Sequence, residues 1–161
     1  MKKLLLVSVV AAAMFVTGCN TKNPSVDSSS ESSNSGFSNR DAEGLNDLQG
    51  KVNRVYFDFD KFNIRPDMRG VIKANAVVLN SEDAKSLKVV VEGNCDEWGT
   101  DEYNYALGLK RAKAAKDALV AQGVSADRIQ VKSNGESKPT CTEKSKACDA
   151  QNRRDEFKIM Q

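Results

Sequence analysis

The sequence predicts an α+β sandwich, a four-stranded sheet with two main helices packed on one face. Three observations carry that expectation. Four short segments alternate apolar and polar residues, two longer segments between them repeat at helical spacing, and the order is strand, helix, strand, helix, strand, loop, strand. The stretch that holds them, residues 51–161, is long enough for one domain with one core.

Val55, Phe57 and Phe59 alternate with polar residues and mark the first strand. A helix over residues 66–80 follows, because Pro66 suits a first turn and Met68, Val71, Ile72, Val78 and Leu79 recur at helical spacing. Leu87, Val89 and Val91 mark the second strand. The second helix opens at Thr100, a good N-cap, with Asp101 and Glu102 favourably placed in its first turn. It runs to Gln122, where Gly123 stops it. Gly108, Ala112, Ala115 and Leu119 form one stripe of this helix, and its three small residues allow close packing on a sheet. Ile129 with Val131, and Phe157 with Ile159, mark the third and fourth strands.

The start of the chain predicts export. Lys2 and Lys3 precede an apolar run from Leu4 to Val16, and Thr17-Gly18-Cys19 supplies small residues before a cysteine. The run has thirteen residues, short of the roughly 20 that a membrane-spanning helix needs. Val16-Thr17-Gly18-Cys19 resembles the lipobox of bacterial lipoproteins, which implies cleavage after residue 18 and a lipid on Cys19. In that class Asn20, in place of an aspartate, implies the outer membrane. Residues 19–50 then read as a lipidated start and a Ser-rich tether, with eight serines between Ser25 and Ser38 and almost nothing apolar to bury.

Composition excludes several functions. Without Lys2 and Lys3 the 24 basic residues fall to 22, equal to the 22 acidic ones, so the basic excess that nucleic acid calls for is missing. The chain has no histidine, which excludes Ser-His and Cys-His catalysis and histidine metal sites. Cys141 and Cys148 flank a short polar loop, and export places them where disulfides persist, so they are expected to pair. Closing that loop stabilises the fold by roughly 2.5 kcal/mol in the chain-entropy model. A zinc site is undercoordinated with two thiols and no histidine. Cys95 is left over and reads as a small buried thiol.

Residues 91–104, Val-Glu-Gly-Asn-Cys-Asp-Glu-Trp-Gly-Thr-Asp-Glu-Tyr-Asn, followed by Leu107-Gly108-Leu109-Lys110-Arg111-Ala112, carry a more specific signal. Together with Tyr56-Phe57-Asp58, Asn134-Gly135 and Asn152-Arg153-Arg154 they resemble the OmpA-like peptidoglycan-binding family, and within it the peptidoglycan-associated lipoproteins. The resemblance spans about 110 residues. It implies a mixed four-stranded sheet, no cofactor and no catalysis. It further implies noncovalent binding of the diaminopimelate of wall stem peptides, partnership with TolB and other Tol proteins, and roles in envelope integrity and cell division. The chain departs from the family where Asn94-Cys95 replaces a histidine and a small residue, and where Trp98 replaces a frequent arginine.

Diaminopimelate ends in an ammonium and a carboxylate on one carbon, so its receptor needs an anion and a cation. Asp96 and Arg111 stand at the family's positions for that pair. Asp96 accepts from the ammonium, and Arg111 can donate two parallel bonds to the carboxylate. The helix N-terminus at Thr100 favours the same carboxylate. Asn104, Leu107 and Arg111 share one helical face, and by resemblance Phe57 and Asp58 form the opposite wall. Arg153 can touch the ligand or brace a buried carboxylate, and both readings stay open. Asp58, Asp96 and Glu97 also allow a wall-degrading glycosidase. The 58–69 stretch fails as a calcium loop because Phe62 and Arg69 occupy ligand positions.

Overall fold

The structure is a computed structural model that describes residues 39–161. The signal segment 1–18, the cysteine at position 19 and most of the tether lie outside the described residues. The elements are α1 (Asn39–Lys51), β1 (Val55–Tyr56), α2 (Arg69–Leu79), β2 (Lys88–Asn94), α3 (Asp101–Ala121), β3 (Ile129–Gly135), α4 (Lys146–Asn152) and β4 (Arg154–Met160). Short 3₁₀ turns at Pro66–Met68 and Ala126–Arg128 lead into α2 and β3.

The sheet is mixed, in the order β1-β4-β2-β3. Strands β2 and β3 are parallel, whereas β4 runs antiparallel to both β1 and β2. A parallel pair needs a long crossover, and α3 supplies it. Val55, Phe57, Val89, Val91, Ile129, Phe157 and Ile159 face the helices and form the core with Ile72, Leu79, Ala112, Ala115 and Leu119. The opposite face carries Glu92, ringed by Lys132, Lys138 and Lys158 at 2.8–3.6 Å; burial pushes its carboxyl up, and Lys138, Asn134 and Lys158 together hold it down to about 2.

The expected α+β fold is observed, with α2 and α3 as the main helices. Three local features differ from the sequence reading. The stretch read as tether to residue 50 ends in α1, which belongs to the fold. Leu45, Leu48 and Val52, spaced three and four apart, pack on the core. Gln49 donates to the Phe157 carbonyl at 2.8 Å and accepts from the Ile159 amide at 3.0 Å. Those groups lie beyond the reach of the two-residue β1, so one side-chain amide takes the place of a longer strand. The loop before β4 contains α4, capped by Ser145, which accepts from the Cys148 amide. The first strand ends at Tyr56, and Asp60 adopts φ 57°, so Phe59 leaves the core face and is 60 % exposed.

The stripe of small residues on α3 sets how near that helix lies to the sheet. A Cβ built at Gly93 in β2 would lie 1.9 Å from the Gly108 carbonyl oxygen, and one at Gly108 would lie 2.4 Å from Ser133 Oγ. Neither position admits even a methyl group. Gly93→Ala should therefore destabilise the fold by about 3 kcal/mol or more in urea denaturation. Gly70→Ala in α2, where a Cβ meets open space, should stabilise it by about 0.5–1 kcal/mol. Equal stabilities for the two variants would refute this close approach.

Candidate functional site

The site lies at the end of the sheet where β1, β2 and β3 finish and β4 begins. Crevices beyond the carboxyl ends of parallel strands commonly take ligands. Thr100 caps α3 by accepting from the Tyr103 amide at 3.2 Å. Gly99 precedes it at φ 122°, which allows the chain to turn sharply from β2 into the helix.

Asp96 follows β2, is 3 % exposed, and accepts from Arg153 Nη1 at 2.9 Å. Arg153 also donates from Nε to the Phe57 carbonyl at 3.2 Å. Arg111 has no solvent contact. Its Nε donates to the Lys61 carbonyl at 2.8 Å, Nη1 to the Asn94 carbonyl at 2.9 Å and to Cys95 Sγ at 3.4 Å, and Nη2 to the Asp58 carbonyl at 3.3 Å. The guanidinium also lies 5.2 Å from the centre of the Phe57 ring, in cation–π contact. Burial pulls its pKa down, and the surrounding carboxyls oppose that shift.

The predicted residues thus converge on one end of the fold in two layers. A cleft of about 230 Å³ is lined by Asp96 and Leu107 together with Phe59, Asp60, Trp98 and Tyr103. Arg111 and Phe57 are fully buried behind it, and the ionic partner of Asp96 is Arg153. Asp58 turns its backbone carbonyl to Arg111, and its exposed carboxylate lies 3.6 Å from Arg65. Asn104 is buried and structural: its amide donates to the carbonyls of Asp96 and Trp98 and to the Glu136 carboxylate. A wider hollow of about 680 Å³ beside the first turn of α3, lined by Asp101, Glu102, Tyr105 and Glu136 among others, contains none of the predicted residues.

Two features of the site went unread in the sequence. Phe59, Trp98 and Tyr103 present half-exposed rings around the cleft, and Phe59 was hidden by its strand-like alternation. Asp155, paired in register with Gly93, is fully buried, and neither carboxyl oxygen has a hydrogen-bond partner among the described residues. Burial pushes its pKa well above the usual range, offset in part by the Arg111 charge. No spacing rule marks an acid as buried when it sits between Arg154 and Glu156. Cys95 is also buried, its thiol pushed up to about 11, which leaves it a thiol at neutral pH. The structure joins Cys141 to Cys148 in a disulfide with Cα atoms 5.3 Å apart, at the foot of α4.

Comparison with known proteins adds to this geometry. Residues 56–153 match the model of the OmpA family. The chain is 42 % identical to the peptidoglycan-associated lipoprotein of Pasteurella multocida, over 96 % of this chain and 97 % of that one. It is 45 % identical to the Haemophilus influenzae protein of the same name, over 67 % of this chain and 69 % of the other. The crystal structure of the Burkholderia pseudomallei peptidoglycan-associated lipoprotein superposes with a TM-score of 0.65 at 34 % identity, covering 73 % of this chain and 99 % of that one. The C-terminal domain of Helicobacter pylori MotB shares the fold, with a TM-score of 0.62 at 20 % identity, 68 % coverage of this chain and 85 % of its own.

The buried acid beneath the cleft makes a prediction about pH. A carboxyl whose pKa is raised in the fold holds its proton more tightly there than in the unfolded chain. Its contribution is therefore fully present below the ordinary Asp value of about 3.9 and is lost as pH rises toward the folded value. Arg111 and the Cys95 thiol, which face Asp155, do not titrate between about pH 5 and about pH 8. Asp155→Asn should therefore gain stability over the wild type as pH rises through that window, by about 1–3 kcal/mol at the upper end. Thermal unfolding at several pH values measures this, and a margin that does not grow with pH would show that Asp155 is ionised in the fold.

Proposed function

The chain belongs to the OmpA family, and from that premise we propose that it binds diaminopimelate-containing stem peptides of peptidoglycan noncovalently, while a lipid on Cys19 holds it to the outer membrane. It acts as a binder, without cofactor or catalysis. The observation that carries the reading is the placement of Asp96 at the cleft with Arg111 directly behind it, at the helix start capped by Thr100.

In this mechanism the diaminopimelate ammonium approaches Asp96, whose second carboxylate oxygen has no hydrogen bond to the protein, while Arg153 holds the first. The ligand carboxylate meets the positive end of α3 and the charge of Arg111. Direct donation by Arg111 requires the ligand to replace its longer bonds, those to Asp58 and Cys95 at 3.3 and 3.4 Å. A carboxylate is the stronger acceptor, since it brings a full negative charge and two parallel oxygens to a guanidinium whose present acceptors are neutral. The Pasteurella and Haemophilus relatives, named for their association with peptidoglycan, support the same ligand for this chain. By the same kinship the domain works with TolB and other Tol proteins in envelope integrity and cell division.

Co-sedimentation with purified sacculi tests the reading, with free diaminopimelate as competitor. Wild-type protein should pellet with the wall, be displaced by the competitor and release no soluble muropeptides. Asp96→Ala and Asp96→Asn should each weaken binding by about 2–5 kcal/mol, the usual cost of removing one partner of a buried charge pair. Asp96→Asn keeps the shape and an acceptor for Arg153, so its melting curve separates lost binding from lost folding. Arg111→Ala should also lose binding, but its melting temperature should fall as well, because it releases three carbonyls in two segments. Wild-type binding by both folded Asp96 variants would sink the site, and release of muropeptides would show an enzyme.

A further inference from the structure

Phe59, Trp98 and Tyr103 are 60 %, 59 % and 50 % exposed, and all three line the cleft that contains Asp96. The core gains nothing from rings left in water, so their convergence on one cleft calls for a ligand. Their polar atoms are already occupied. The Tyr103 hydroxyl donates to Asp60, and Trp98 Nε1 donates to Asp149 at 3.0 Å. These bonds pin the two rings and leave only their faces free.

The chemistry of the cleft selects among occupants. With Asp96 given to the diaminopimelate ammonium, Asp60 is the charge left beside the rings, and it repels an anion. A second cation there would compete with the Tyr103 hydroxyl for Asp60. An aliphatic group finds one buried aliphatic contact, Leu107. A pyranose ring fits these features: its C–H face is apolar and slightly positive against the electron-rich ring face, and its hydroxyls can donate to the remaining lone pairs of Asp60. We propose that Trp98, Tyr103 and Phe59 form a second subsite that stacks on a sugar ring of the glycan strand to which the stem peptide is joined.

This subsite rests on the stem-peptide reading above. Two residues and a lactyl link separate diaminopimelate from its sugar, and two extended residues span roughly 7 Å. Trp98 and Asp96 line the same cleft, so one ligand can reach both. The subsite gives the protein a means of preferring a peptide attached to glycan over a free peptide shed from the wall.

The test compares two soluble ligands by calorimetry on the full chain in detergent: the diaminopimelate tripeptide alone, and the same peptide carried on its N-acetylglucosaminyl-N-acetylmuramyl disaccharide. The wild type should bind the disaccharide form about three- to tenfold more tightly, as one or two stacking contacts would give. Trp98→Ala should bring the ratio of the two affinities close to one, and Trp98→Phe should restore much of it. The ratio should hold at high salt, since the contact is neutral. A wild-type ratio near one, a ratio unchanged in both Trp98→Ala and Tyr103→Ala, or a ratio that collapses with salt would overturn the sugar subsite while leaving peptide binding standing. A wild type that binds neither ligand would overturn the peptide reading and this one with it.

Discussion

A guanidinium sealed from water must find acceptors for its N–H groups, and the way Arg111 finds them organises the functional end of this fold. It sits on α3 and reaches the carbonyls of Asp58 and Lys61 after β1, the Asn94 carbonyl at the end of β2, and the face of Phe57. Three segments far apart in sequence are thereby joined at one side chain. The Asp58 carbonyl accepts from the Lys61 amide at 3.2 Å as well, so Arg111 reinforces the turn that follows β1. The reach of Arg111 depends in turn on Gly108, one helical turn earlier on the same face. Because Gly93 and Gly108 meet backbone to backbone, α3 lies low enough on the sheet for a side chain to span from the helix to the strand ends. A methyl group there would lift the helix and withdraw Arg111 from its acceptors.

The charges around Arg111 are arranged so that no simple ion pair forms beside it. Asp96, its expected counterpart, is bonded to Arg153, and Asp155 faces it with both oxygens unpartnered. Desolvation therefore acts on Arg111 and Asp155 in opposite directions, lowering one pKa and raising the other. A cation satisfied by neutral carbonyls keeps most of its field available to an incoming carboxylate. A cation already paired with a carboxylate would not. The surface bonds that Arg65 makes to Asp67 and Asp58 are mutual and exposed, and they contribute little to either stability or recognition.

Much of this architecture was legible in the residues, and the limits of the reading have physical causes. The α3 helix is the plainest case, since a capping threonine, two acids in the first turn and a terminal glycine each act locally and agree. Three strands were legible by alternation, whereas β1 misled because Val55, Phe57 and Phe59 keep period two past the point where the chain turns at Asp60. The α1 helix is faint because a short helix with two inward leucines resembles polar linker until the sheet edge it covers is seen. At the site, the family signature located Asp96 and Arg111 but not their relation. Which arginine holds Asp96 depends on β4 lying between β1 and β2, an order that no local pattern encodes. The aromatic rim and Asp155 stayed hidden for the same reason, because burial is a property of the assembled fold.

The function proposed above holds the protein at two ends, and the position of α1 then matters. Leu45 and Leu48 of α1 lie beside Leu87, which precedes β2, and Gln161, which follows β4. The cleft lies where β2 ends and β4 begins. Under the function proposed above, membrane and wall attach at opposite ends of the same strands. With α1 in the fold, the segment from Cys19 to Asn39 spans at most about 70 Å, against the greater length available if the fold began at residue 51. A pull from the tether side enters the fold through α1, which leads directly into β1, and is opposed by the packing of Leu45, Leu48 and Val52 and by the two bonds of Gln49 to β4. In the proposed bridge the grip at Asp96 is noncovalent, so it is the attachment that can release and re-form.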